Sequence, residues 1–240
     1  TESTFMGSLI TGSRAAFKAM GIKLVAVTNA NLNAAQQTRD VSNVLPLHPN
    51  IILSLAIDPV SGAQAFRPAV NAGVKLVFLS NKPNGYKFGK DYVGLVTYDI
   101  SGLGKATADA MCQGLGGKGK IGYSYYDANF YITNQREAAF LKELSTKCPH
   151  VKIVDKEPMA NPSDEQTIVS AMLTKHPEIQ AMFVPWDSPP AEGAVAALRA
   201  ANRNDIKIYT IDLGATNALN MAQRGSIKEE TSTLAYEFGY

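Results

Sequence analysis

The sequence has 240 residues, of which 45% are hydrophobic and 18% charged, so a large core is possible and disorder is excluded. Its 23 Lys and Arg residues against 21 Asp and Glu residues give a formal net charge of +2, which is too small for a nucleic-acid surface. No apolar run approaches the roughly 20 residues that cross a bilayer, and residues 1–7 lack the basic and apolar parts of a secretory signal.

Short β-branched runs alternate with segments of helical spacing along the chain. In the first part, helices are predicted at 8–20, 33–45 and 62–72, and strands at 22–28, 51–56 and 75–80. After a loop at 81–92, strands are predicted at 93–96, 120–124, 151–155, 181–185, 206–212 and 226–233. The helices between them are predicted at 102–113, 134–146, 164–175, 190–201 and 216–224. Strands separated by helices indicate parallel sheets covered on both faces.

The break in this alternation at 81–104 divides it into two similar halves. The pattern predicts an α/β fold with two doubly wound parallel-sheet lobes, joined by a multi-strand hinge with a ligand cleft between them. The N-terminal lobe is predicted to comprise residues 1–98 and 234–240, and the C-terminal lobe residues 99–233. Because such a lobe normally starts with a strand, we expect its first strand upstream of residue 1.

Motifs of catalysis and metal binding do not occur where they could act. The glycine-rich segment 114–119 follows a predicted helix and precedes a strand, which is the wrong order for a dinucleotide site. His48, His150 and His176 each neighbour a proline in helix-to-strand loops, at the end of the sheet opposite the usual ligand site. We therefore predict no catalytic residue, no metal site and no cofactor, and an enzyme working in the cleft is the weakest alternative.

Polar and aromatic residues instead follow the predicted strands, where parallel sheets bind ligands. They are Ser80, Asn81, Tyr125, Asn134, Arg136, Trp186, Asp187 and Asp212. Flat rings pack on the C–H face of a sugar, and Arg and carboxylate groups bind adjacent hydroxyls, so this set predicts a polyhydroxylated ligand. Alternatives remain open: Trp186 as a core residue, Asp187 as a helix N-cap, Arg136 paired with a glutamate on a solvated face, Asp212 as a cap or brace of a hinge turn, and the tyrosines as packing between lobes.

The two cysteines, Cys112 and Cys148, are too few for a disulfide framework, and their spacing fits no metal motif. They form either one bridge, in an oxidising compartment, or two buried thiols.

Several segments resemble the ribose-type periplasmic sugar-binding proteins of bacterial ABC transporters, whose fold is shared with the effector domains of LacI-type repressors. They are FMGSLITGSRAAFKAMG, TNQREAAF, AMFVPWD with GAVAALRAA, and IYTID. The resemblance implies that Phe5 packs against the sugar, that Arg136 and Asp212 bind it, and that Thr233 contacts a hydroxyl. It also shows two departures, because Ser80 and Asn81 replace an Asp–Arg pair and Trp186 replaces an asparagine. These changes favour another sugar, or an open-chain polyol, over ribose.

The predicted function is that of an extracytoplasmic solute-binding protein, which captures a sugar or sugar alcohol by hinge closure and delivers it to an ABC permease. Its expected partners are the small-molecule sugar or polyol and the permease, with no nucleic acid, and the protein is expected to be a monomer. We expect it to be periplasmic, or extracellular and lipid-anchored. The alternative is the effector domain of a sugar-responsive LacI-type regulator, which would need a DNA-binding helix-turn-helix upstream.

Overall fold

The computed structural model describes residues 4–128, 130–234, 237 and 239–240. Its strands form two sheets in which every ladder is parallel. The smaller sheet has the order β1-β2-β3, with β1 at Ile51–Ser54, β2 at Lys75–Leu79 and β3 at Gly94–Val96. The larger sheet has the order β5-β4-β6-β7-β8. Its strands are β4 (Lys118–Tyr126), β5 (His150–Met159), β6 (Ala181–Phe183), β7 (Lys207–Ile211) and β8 (Ile227–Thr231).

Helices connect these strands and cover both faces of the larger sheet. They are α1 (Thr4–Ala19), α2 (Ala34–Val44), α3 (Gly62–Ala65), α4 (Arg67–Asn71), α5 (Ile100–Gly114), α6 (Tyr131–Lys147), α7 (Glu165–Lys175), α8 (Glu192–Ala200) and α9 (Ala215–Ala222). Apolar clusters lie on each side of the larger sheet, and a third cluster lies against the smaller one. The predicted α/β fold with two parallel sheets is confirmed.

A fourth apolar cluster joins the two sheets. Leu9 of α1, Leu55 and Leu79 beside the smaller sheet, and Ile100 and Ile132 at the starts of α5 and α6 pack together. Their side chains are all at least nine-tenths buried. The cluster therefore packs the strand ends of the smaller sheet against the start of α5, which follows β3, and the start of α6, which follows β4 of the larger sheet.

The predicted strand at 22–28 is wrong. Residues 22–30 form no ladder, and the apolar side chains of Leu24, Val25 and Val27 are exposed. A strand needs a neighbour that accepts and donates its backbone hydrogen bonds. Within the described residues, β1 pairs with β2 alone, so the segment has no strand beside it. The sequence has the composition of a strand here, but the pairing that would make it one is missing.

Prolines account for two smaller differences from prediction. The helix predicted at 62–72 is divided at Phe66 into α3 and α4, and Pro68 stands in the first turn of α4. The helix predicted to begin at residue 190 begins at Glu192, after an irregular turn at Asp187–Ala191 that contains two prolines. Proline lacks the N–H group that a continuous helix would use at these positions.

A disulfide links Cys112 of α5 to Cys148, the C-cap of α6, with a Cα–Cα distance of 6.1 Å. Of the two alternatives for the cysteines, the structure therefore contains the bridge. It closes a loop across a sequence separation of 36 residues in the helix pair that carries Arg136.

Replacing both cysteines by alanine is expected to lower the free energy of unfolding by about 2–4 kcal/mol, because the unfolded chain regains the entropy of the open loop. Urea titration of both proteins, with and without reductant, measures the difference. Reductant should destabilise the wild type toward the double variant and leave the variant itself unchanged. Two titratable thiols in the untreated folded protein would contradict the bridge.

Candidate functional site

The larger sheet reverses its winding between β4 and β6. Strand β4 pairs with β5 on one side and with β6 on the other. The connection after β4 therefore leads toward one edge of the sheet, and the connection after β6 leads toward the opposite edge. Ligands of doubly wound sheets bind outside the carboxyl ends of the strands at such a switch point. Tyr126 ends β4 and Trp186 follows β6, and their rings meet edge to face with centroids 5.1 Å apart. The topology therefore places the candidate site beside Trp186.

A buried ion pair lies at the same edge of the sheet. Arg136, in the second turn of α6, donates from Nη1 to Asp212 Oδ1 at 3.2 Å and to Oδ2 at 3.1 Å. Its Nη2 donates to the carbonyl of Pro185, next to Trp186, at 3.4 Å. Burial opposes the charge on Arg136, but the Asp212 carboxylate raises its pKa. Arg136 is thus paired with Asp212 in a buried position rather than with a glutamate on a solvated face.

Asp187 contributes a second carboxylate to this edge. Its side chain is 1% exposed, and neither oxygen makes a well-formed hydrogen bond within the described residues. Burial and the charge of Asp212 raise the pKa of Asp187 to about 7, against a smaller effect of the Ser188 N–H. The structure does not support Asp187 as a helix N-cap, since α8 begins only at Glu192, with Ala191 in the N-cap position.

The smaller sheet contributes Ser80 and Asn81, both buried, directly after β2. Ser80 has a φ of 62°, a left-handed conformation that non-glycine residues adopt rarely and that is often found at functional sites. The Asn81 amide donates to the carbonyl of Ala56 at 2.8 Å, and its Oδ1 has no partner within the described residues. The Asn81 side chain is therefore held in place at this strand end, while the Ser80 hydroxyl has no hydrogen-bond partner within the described residues.

Tyr98 connects the two halves of the site. Burial raises the pKa of Tyr98 to about 12, Arg136 opposes the shift, and Asp212 adds to it. Since both charges act on the phenol, Tyr98 lies close to the ion pair of the larger sheet, and the Ser80 side chain of the smaller sheet acts to lower its pKa. The polar strand ends of the two sheets therefore meet around Tyr98.

The other predicted site residues lie at the margins of this set. Phe5 packs against the apolar cluster between the sheets, Asn134 is half-buried on α6, and Thr233 is 8% exposed after β8. Tyr125 stacks on Tyr123 with centroids 6.3 Å apart, and the Lys156 ammonium lies 4.9 Å from its ring centre. Contact of these four residues with a ligand stays a prediction.

Within the described parts of the chain, no group of three or more His, Cys, Asp or Glu side chains is arranged to hold a metal ion. Among the same residues, no helix combines the length and apolar character of a membrane span.

A family model described as a periplasmic binding protein domain matches residues 1–240. The chain belongs to the periplasmic binding protein family. The resemblance noted in the sequence is thereby confirmed at the level of the family. A search of curated proteins found no match.

Solved structures of periplasmic binding proteins share the fold over almost the entire chain. A 5-methylthioribose transporter solute-binding protein from Thermotoga lettingae is 20% identical, with a TM-score of 0.85, and the match covers 99% of this chain and 74% of that one. A solute-binding protein from Agrobacterium vitis bound to α-D-tagatopyranose is 19% identical, with a TM-score of 0.89 and coverage of 100% and 82%. The arabinose-binding component from Shewanella sp. ANA-3 is 18% identical, with a TM-score of 0.88 and coverage of 100% and 80%.

Three polar residues of this periplasmic binding protein were not selected from the sequence as site residues. Tyr98 lies outside the predicted strands, and Glu137 follows Arg136 in α6 and accepts from the Tyr126 N–H at 3.1 Å. Glu230 is buried in β8, while its neighbour Glu229 is exposed. Side chains alternate between the two faces of a strand, so one of two adjacent glutamates in the predicted strand at 226–233 must point inward. That pair is the sequence signal that could have been used.

Replacing Trp186 by phenylalanine is expected to lower the free energy of unfolding by about 1–2 kcal/mol, because the indole N–H donates to the carbonyl of Ser188 at 3.1 Å. The smaller ring can still pack against Tyr126. The matched control is Phe88→Leu at an exposed ring, which should stay within about 0.5 kcal/mol of wild type. Urea unfolding measures both, and equal small effects would mean that the indole bond to Ser188 contributes nothing.

Proposed function

We propose that this chain is the extracytoplasmic solute-binding component of an ABC importer, which captures a sugar or sugar alcohol and delivers it to the permease. The observation that carries the proposal is the buried Arg136–Asp212 pair at the sheet's switch point. A guanidinium and a carboxylate fixed side by side offer donors and acceptors to adjacent hydroxyl groups. Beside them, the edge-to-face pair of Tyr126 and Trp186 offers aromatic surface to the C–H face of a sugar.

The structures with bound ligands support the choice of a sugar. The relatives from Agrobacterium vitis and Shewanella carry α-D-tagatopyranose and L-arabinofuranose, and the Thermotoga protein carries 5-methylthioribose. Departures at Ser80, Asn81 and Trp186 favour a solute other than ribose for this chain. The protein binds the solute as a monomer and does not transform it.

The placement of polar groups on both sheets supports closure of the two lobes on the solute. Ser80 and Asn81 belong to the proposed first lobe (residues 1–98 and 234–240), and Arg136 and Asp212 belong to the second (residues 99–233). A solute that contacts both lobes binds the closed state more tightly, so it shifts the population toward closure. Residues 235, 236 and 238 lie outside the described residues, but the Ser13 hydroxyl donates to the Gly239 carbonyl at 2.9 Å, and Gly239 thus lies beside α1.

The disulfide supports a location outside the cytoplasm. Protein disulfides persist in oxidising compartments, whereas cytosolic thiols are kept reduced. The Cys112–Cys148 bridge therefore favours a transport receptor over a cytosolic regulator with the same lobes. We propose a periplasmic protein, or an extracellular lipid-anchored one.

A panel of pentoses, hexoses and sugar alcohols tests the proposal. Trp186 is the one tryptophan of the sequence, so its fluorescence reports on the candidate site without a label. We expect one class of solute to change this fluorescence and to raise the midpoint of thermal unfolding, with about 2.7 kcal/mol of stabilisation at a hundred times its Kd. If no solute does either, the proposal is wrong, and if a bound sugar is chemically altered, the protein is an enzyme.

A further inference from the structure

Acidic side chains outnumber basic ones at the carboxyl ends of three neighbouring strands. Asp187 follows β6, Asp212 follows β7, and Glu230 is the next-to-last residue of β8. The Asp212 N–H donates to the carbonyl of Thr231 at 2.9 Å, which joins the ends of β7 and β8. Arg136 is the one basic side chain among the buried charged residues that the structure describes. This edge of the sheet therefore carries three carboxyl groups and one guanidinium, and the guanidinium pairs with Asp212 alone of the three.

Two of the three guanidinium nitrogens are already engaged, and Nε has no partner within the described residues. Nη1 of Arg136 donates to both oxygens of Asp212, and Nη2 donates to the carbonyl of Pro185. One oxygen of Glu230 accepts from the Asn217 amide at 3.1 Å, and the other has no partner within the described residues. With the two oxygens of Asp187, three buried carboxyl oxygens remain without a well-formed hydrogen bond. The site therefore has an excess of acceptors.

Burial and mutual repulsion favour the protonated form of these carboxyl groups in the free protein. Burial raises the pKa of Glu230 to about 8, and the charges of Asp187 and Asp212 add to the shift against a smaller effect of Asn217. Besides Asp212, the carboxylate of Glu192 in the first turn of α8 also acts on Asp187. An ionised carboxylate buried without a cation is costly, so these groups ionise readily only when a positive charge arrives.

We propose that the solute carries a protonated amino group beside its hydroxyls, as an amino sugar or amino polyol does, and that Asp187 and Glu230 bind this group. The inference rests on the proposed function and specifies the solute class of the same site. An ammonium group brings three donors and no acceptor, which matches the three oxygens without partners. The neighbouring rings of Trp186 and Tyr126 also favour a cation, through the negative faces of their π systems.

Matched pairs of solutes test the proposal. The probes are glucosamine, galactosamine and 1-amino-1-deoxysorbitol, each compared with glucose, galactose or sorbitol by titration calorimetry at neutral pH. We expect at least one amino compound to bind roughly tenfold or more tightly than its parent. Titration in two buffers of different ionisation enthalpy should show release of about one proton per bound ammonium, because a carboxyl group ionises as the cation binds.

Two variants keep the test specific. Asp187→Asn preserves the shape of the side chain and removes its charge. It should therefore weaken the binding of the amino compound roughly tenfold or more and change the affinity for the neutral parent by less than about threefold. Glu192→Gln removes a nearby charge that is not among the proposed ligand-binding carboxylates, so it should change both affinities by less than about threefold. If neutral parents bind as tightly as amino compounds, the proposal of a charged solute is wrong and the proposal of sugar binding stands. If neither series binds, both proposals are wrong.

Discussion

Replacing Arg136 by methionine is expected to lower the free energy of unfolding by about 3–5 kcal/mol and to abolish solute binding. Methionine fills much of the same space, but it leaves the Asp212 carboxylate buried with neither of its Nη1 hydrogen bonds. The cost arises mainly from that uncompensated charge rather than from lost packing. Urea unfolding and solute titration followed by Trp186 fluorescence measure the two effects.

The double variant Arg136→Met with Asp212→Asn separates charge from packing. Asparagine tolerates the left-handed backbone of position 212, where φ is 72°, and removes the unpaired charge. Most of the lost stability should therefore return in the double variant, while solute binding stays absent. If the second substitution adds a further loss instead, the buried charge is not the reason for the instability.

The free protein is expected to lose stability as the pH rises from about 5 to 8. Burial raises the pKa of Glu137, Glu165 and Asp187 to about 7 and that of Glu230 to about 8. Each group keeps its proton in the folded state at pH values where the unfolded chain has released it. The folded state thus binds more protons over this range. Each group therefore stabilises the fold fully at pH values below its pKa in the unfolded chain, and this contribution is lost as the pH rises to its pKa in the folded state. Between these two pKa values, each group lowers the free energy of unfolding by about 1.4 kcal/mol per pH unit.

Urea unfolding at pH 5, 6, 7 and 8 measures this slope, and Glu230→Gln is its control. Glutamine preserves the shape of the side chain and does not titrate, so the slope should decrease by about 1.4 kcal/mol per pH unit. A wild-type stability that rises over the same range would mean that these carboxyl groups are ionised and paired in the folded protein.

The sequence predicts most of the fold because strand and helix patterns in parallel α/β proteins are local. Residues 151–155, for example, lie within the first part of β5, and the Asn33 side chain caps α2 at the predicted start. The segment 22–28 shows the limit of such patterns. Its composition is that of a buried strand, but a strand also requires a neighbour, and neighbours are set by the tertiary structure.

Part of the candidate site could likewise be predicted from the sequence, and part depends on the tertiary structure. Residues that directly follow a strand, such as Trp186 and Asp212, could be selected from the sequence because every parallel strand ends at the same edge. The direct bonds between Arg136 and Asp212 could not, since they depend on how far α6 extends over the sheet. Nor could the acceptor excess at Asp187 and Glu230 be seen, because it emerges only when the partners of every buried oxygen are known.

Small-angle X-ray scattering tests most directly whether a solute closes the two lobes on itself. The measurement compares the free protein with the protein saturated by the solute that stabilises it, and Arg136→Met serves as the variant that should not respond. A solute bound at the edges of both sheets predicts a smaller radius of gyration in the wild type alone. A solute that stabilises the protein and leaves its radius of gyration unchanged would contradict capture by closure.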